Sequence, residues 1–72
     1  MFDYRKLKMK LIEEDKSIED LALLLNKSKQ SIYSRLNGDI SFRDTEIVKI
    51  SKYLNIEPVE INDYFFKVNV HK

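Results

Sequence analysis

The chain has no cysteine and no tryptophan, and among its 72 residues there is one glycine, one proline and one histidine. Without cysteine there can be neither disulfides nor thiolate metal sites. His71, next to the C-terminus, has no second imidazole to join it, so a metal centre would have to be built from carboxylates alone and none is expected. The scarcity of glycine and proline, with 43% hydrophobic and 35% charged residues, excludes a low-complexity or disordered chain. Long apolar runs are missing too. The longest, Leu21 to Leu25, falls far short of the roughly 20 residues that span a bilayer, and the start does not read as a signal peptide. The expectation is a cytoplasmic protein that does not enter membranes.

What is present is enough for one domain, residues 1–72, with a thin core. The net charge of +1 carries little information, because nucleic-acid binding depends on where charge lies. Lys27, Lys29 and Arg35 fall in a stretch without acids, whereas Glu57, Glu60 and Asp63 fall in one without bases. The two stretches could occupy different sides of the molecule.

Apolar periodicity and capping residues predict an all-α chain of five helices, over about 4–14, 18–25, 29–36, 42–54 and 58–66. In the first, Leu7 and Leu11 lie one turn apart and form the buried stripe. Ser17 caps the second, with Asp20 as the capping-box acid, and Asn26 closes it in the left-handed conformation. Ser28 caps the third, which buries Ile32 and Leu36 and stops at Asn37-Gly38. Ser41 with Asp44 is expected to open the fourth, and Pro58 the fifth. Residues 67–72 alternate like a strand but are too few to stand alone. Two short capped helices separated only by Asn26, Lys27 and Ser28 meet the requirement of a helix-turn-helix.

The segments Ser17-Ile18-Glu19-Asp20-Leu21-Ala22, Leu25 to Tyr33, and Leu36-Asn37-Gly38 resemble the Cro and phage-repressor helix-turn-helix family, in particular phage-type regulators of Gram-positive hosts. Phe42, the pair Glu46-Ile47 and the closing Tyr64-Phe65-Phe66 continue the resemblance. It implies a compact lambda-repressor-like bundle with a short C-terminal tail, whose third helix enters the major groove, usually as a dimer on a palindromic operator. By match to the family's positions, Lys29, Gln30, Tyr33 and Ser34 would lie against DNA and Asn37 would hold a phosphate. Ile18 stands where the family commonly has glutamine, Lys27 replaces an apolar turn residue, and Asp39 stands where a basic residue is frequent. Leu23 and Leu24 occupy usually polar positions and suggest an additional contact surface.

In that setting Gln30 can offer adenine a donor and an acceptor together, and Lys29 can reach guanine or a phosphate. Ser28, Ser31 and Ser34 are small enough to allow close approach, while Ser28 also caps the helix. Tyr33 is either structural or in contact with a phosphate or thymine methyl. Lys27, Arg35 and Arg43 would position the duplex without reading it. Tyr64, Phe65 and Phe66 point in several directions from a helix. Part of this cluster, with Val68 and Val70 as an edge strand, is expected to form a two-fold dimer interface. The competing expectation is that a phenylalanine fills the domain's own core and the tail frays.

No nucleophile, base or metal partner accompanies the carboxylates, so neither an enzyme nor a cofactor is expected. The leading expectation is a repressor-like or Cro-like regulator of double-stranded DNA. The alternative is a module of the same fold that binds another regulatory protein, and a continuous basic surface around Lys29 and Arg35 would favour the first over the second.

Overall fold

The computed structural model describes residues 2–68, and the described residues form an all-α arrangement of five helices. α1 (Arg5–Glu13) follows a segment in which the Asp3 carboxylate accepts from the Arg5 backbone N–H at 2.9 Å and holds its guanidinium at 2.7 Å. This carboxylate takes the place of a capping residue, since Tyr4 gives α1 no side-chain cap. Leu7 and Leu11 form its buried stripe, and the helix ends with Asp15 at a φ of 56°.

α2 (Ile18–Leu25) begins in a reciprocal capping box. The Asp20 N–H donates to Ser17 Oγ at 3.2 Å, and the Asp20 carboxylate accepts from the Ser17 N–H at 2.7 Å. Asn26 then takes a φ of 54°, which turns the chain so that the Lys27 N–H closes on the Ala22 carbonyl at 2.9 Å. After a turn of three residues, Ser28 Oγ accepts from the Ser31 N–H at 3.1 Å and opens α3 (Lys29–Leu36). Gly38, at a φ of 86°, supplies the reversal that follows α3.

α4 (Asp44–Tyr53) starts two residues later than the sequence led us to expect, and Ser41 does not cap it. The first turn is closed by Glu46, whose carboxylate accepts from the Arg43 N–H at 2.9 Å. The reason is Phe42. It is drawn into the core between Tyr4 and Phe65, edge-to-face with both at 5.3 and 5.5 Å, and it leaves the chain extended until Arg43.

The expected helix over 58–66 is divided. Pro58–Glu60 form one 3₁₀ turn, in which the Glu60 N–H donates to the Glu57 carbonyl, and α5 (Ile61–Phe65) continues from it. α5 packs on α1, while α2 packs on both α3 and α4. Leu21, Ile32, Ile50, Leu54, Leu7 and Phe65 are almost wholly excluded from solvent at the centre.

The structure divides the aromatic cluster expected at a dimer interface. Tyr64 and Phe65 are buried in the chain's own core at 6% and 1% exposure, the place the competing expectation gave to a phenylalanine. Among the described residues Val68 forms an antiparallel β-bridge with Phe2 of the same chain, supported by the Asp3 N–H donating to the Lys67 carbonyl. Phe66 stays exposed against Phe2, and Val70 lies outside the described residues.

Candidate functional site

α3 is fixed from beneath. Ile32 and Leu36 enter the core, and Arg35, one turn on from Ile32 and next to Leu36, enters with them at 5% exposure. Its Nε and Nη2 donate to the two carboxylate oxygens of Glu46 at 3.0 and 3.1 Å, and Nη1 donates to the Ser31 carbonyl and hydroxyl. This two-pronged geometry is the strong form of a charge-assisted bond. Burial alone would raise the Glu46 pKa. The hydrogen bonds from Arg35 and the Arg43 N–H, with the charges of Arg35 and Lys27, outweigh it and hold the carboxyl below its ordinary value.

Arg35 therefore departs from its expected place on a phosphate-facing surface. Its position could have been read from the sequence, because Ile32, Arg35 and Leu36 share the i, i+3, i+4 spacing of a buried stripe. A guanidinium in that stripe requires a carboxylate opposite, and Glu46 is the one that α4 delivers. Ser31 also turns inward, bonded to both Ser28 and Arg35. Ser34 is half-buried, and its carbonyl accepts from the Asp39 N–H at 2.9 Å.

The other expected residues are brought together on the outside. Ser28, Lys29, Gln30, Tyr33 and Asn37 are exposed along α3 and its ends, and Gln30, Tyr33 and Asn37 recur at the spacing of a single helix face. Among the described residues, Gln30 makes no side-chain hydrogen bond in the fold. An eight-residue α3 presents this face over about 12 Å.

The electrostatics are mixed rather than continuously basic. Lys29 Nζ lies 3.4 Å from the Glu19 carboxylate, and Lys27 Nζ lies 4.0 Å from that of Glu46. Arg43 is exposed, but so are Asp39 and Asp44 near it in the chain. Leu23 stands out at 81% exposure beside Glu19, Lys27 and Lys29.

Sequence reasoning missed a second feature, a groove of about 410 Å³ between the end of α1, the start of α2 and the end of α3. Its walls include Ile12, Ile18 and Tyr33, and Lys8 and Lys16 stand at it. It joins residues far apart in sequence, so no local pattern announces it. No cluster of three potential metal ligands exists among the described residues, and no helix there is long and apolar enough to cross a membrane.

Comparison with known proteins agrees with this architecture. The solution structure of the modulator of repression of the temperate bacteriophage TP901-1 from Lactococcus lactis is 30% identical to this chain. The two superpose with a TM-score of 0.75 over 97% of this chain and 95% of the phage protein. No curated protein sequence matches the chain. Residues 1–68 match a family described as "Protein of unknown function (DUF739)", and the chain belongs to that family.

Proposed function

We propose that the chain is a helix-turn-helix regulator of a phage-type repression circuit, and that it acts by laying α3 against double-stranded DNA, without catalysis or a cofactor. The observation that carries this reading is the division of α3. Its inner side is locked by Ile32, Leu36 and the Arg35–Glu46 pair, while Gln30 and Tyr33 are exposed and Gln30 makes no side-chain hydrogen bond among the described residues. A rigid helix with an uncommitted amide is suited to a bidentate contact with adenine. Likeness to a phage modulator of repression over nearly the whole chain supports the regulatory setting.

The charges set a quantitative expectation. With Arg35 committed internally, Lys27, Lys29 and Arg43 remain to meet phosphate. Three phosphate contacts per copy correspond to a roughly 40-fold loss of affinity between about 50 and 200 mM salt. Fluorescence anisotropy on a random duplex and on palindromic DNA from the chain's genetic neighbourhood tests this. A preference of about a hundredfold for the neighbouring DNA, reduced by Gln30→Ala, is the expected result. Absence of binding at low salt by folded protein would overturn it.

One observation favours a second reading, in which the surface around Leu23 on α2 binds another regulatory protein. Leu23 is a nearly fully exposed apolar side chain, ringed by Glu19, Lys27 and Lys29. An apolar centre with charges of both signs suits a protein surface better than a phosphate backbone. Under that reading Leu23→Ser abolishes capture of the partner, whereas under the DNA reading this uncharged change leaves affinity for a duplex little changed.

A further inference from the structure

The groove between α1, α2 and α3 stands apart from Leu23 and from the α3 N-terminus. Its floor is Leu11 and Leu36, both buried. Ile12, 79% exposed, and Tyr33, 51% exposed, rise from two different helices at its sides. At about 410 Å³ it has room for more than one large side chain, and it opens to solvent instead of enclosing its contents. A segment lying along such a site would place one face in it and keep the other in water.

The charge at the groove indicates what that segment carries. Lys6, Lys10, Lys27 and Lys29 each stand within 4.0 Å of a carboxylate. Among the described residues Lys8 and Lys16, at the groove, make no such pair, as is also true of Lys49, Lys52 and Lys67 away from it, and no acidic residue lines the groove. Lys16 Nζ instead lies 4.9 Å from the centre of the Tyr53 ring. An apolar trough with two unpaired cations selects apolar side chains flanked by Asp or Glu, which is the pattern of an acidic amphipathic helix.

We infer that this groove is a docking site for an acidic amphipathic helix of a partner protein. The apolar side chains of that helix enter between Ile12 and Tyr33, and its carboxylates meet Lys8 and Lys16. The inference goes beyond the DNA reading and stands whether or not α3 binds a duplex. It has a regulatory consequence, because Tyr33 and Asn37 belong both to the groove and to the outer face of α3. An acidic segment seated there would exclude phosphate from the end of α3 by its bulk and by its charge.

The test is selection of displayed random peptides of about 15 residues, some four helical turns, on the intact chain, with no DNA present. The expected peptides carry large apolar residues at helical spacing beside Asp or Glu. Their affinity falls at least about tenfold for Ile12→Asp, a change at an exposed position whose fold is checked by the amide NMR spectrum. Reversing the charges with Lys8→Glu and Lys16→Glu weakens them and favours versions in which Lys replaces their acids. Retention of no peptide, retention without acidic enrichment, or binding indifferent to Ile12→Asp would each overturn the assignment.

Discussion

The α2–α3 pair and the C-terminal segment use their residues in opposite ways. α2 and α3 have strong local signals, Ser17, Asn26 and Ser28, and each puts one side into the core while leaving the other free. The C-terminal segment has a five-residue helix after a single 3₁₀ turn, too short to persist by itself, and it places Tyr64 and Phe65 inside. In the first region the caps fix where the helices begin and end, and packing of one side of each makes them persist. In the second no side-chain cap marks the helix, and packing alone defines it. The first region needs only one side of each helix for the core and so leaves a face uncommitted.

Truncation of the aromatics tests the contrast most severely. Phe65→Ala removes a side chain that is 1% exposed, in edge-to-face contact with Phe42, and is expected to cost about 3–5 kcal/mol. In a chain of this size that approaches the whole stability of the fold. Phe66→Ala, at a side chain 44% exposed against Phe2, is expected to cost under about 1 kcal/mol. Urea unfolding of the two variants measures both. Equal losses would mean that the segment is not divided between core and surface at all.

The next largest effect lies under α3. Arg35→Met leaves the Glu46 carboxylate buried without its partner and is expected to cost about 3 kcal/mol. Adding Glu46→Leu should recover much of that loss, because the uncompensated charge is then gone. Thermal unfolding of the single and double variants reads the difference. If the double variant is no better than the single, the pair is not the buried unit described above.

These residues also mark how far the sequence could be read. The five helices, the Leu7–Leu11 stripe and the caps at Ser17 and Ser28 follow from neighbours within a turn or two, where the physics is local. The exposed places of Gln30 and Tyr33 could be read because they lie on the helix those caps define. Arg35 was misplaced because a cation was taken for surface although its spacing placed it with Ile32 and Leu36. The start of α4 and the partition of Tyr64, Phe65 and Phe66 depend on Phe42 meeting Tyr4 and Phe65, contacts between distant parts of the chain. The groove was invisible for the same reason.

A smaller effect sharpens the local half of the comparison. Ser17→Ala removes the hydroxyl that receives the Asp20 N–H and is expected to cost about 1 kcal/mol. Ser41→Ala, at a serine that looks like a cap in sequence but precedes a helix starting at Asp44, should change stability by less than about 0.5 kcal/mol. Denaturant midpoints of the pair decide between them. A loss at Ser41 equal to that at Ser17 would restore it as a cap.

Acid titration contrasts the two regions through one carboxylate in each. Asp3, beside the chain that returns at Lys67, has its pKa lowered from 3.8 to about 2, first by the side-chain hydrogen bond from Arg5 and then by the backbone one. Glu46, beneath α3, is also lowered, because its bonds from Arg35 and Arg43 outweigh burial. A depressed folded-state pKa adds stability that is fully present above the unfolded value and is lost as pH falls through the folded one. Stability should therefore decline from about pH 4 toward pH 2 on account of Asp3, and Glu46 adds a loss in the same direction once the pH falls below its ordinary value. The two contributions separate by substitution. Asp3→Asn should shift the acid limb only slightly, since Arg5 is largely in water and such pairs are weak. Glu46→Gln should lower stability at neutral pH and flatten the limb, since the group that titrates beneath α3 is then absent. The reverse ranking, with Asp3 dominant, would mean that the junction of the two termini and not the Arg35–Glu46 pair is the point at which acid opens the fold.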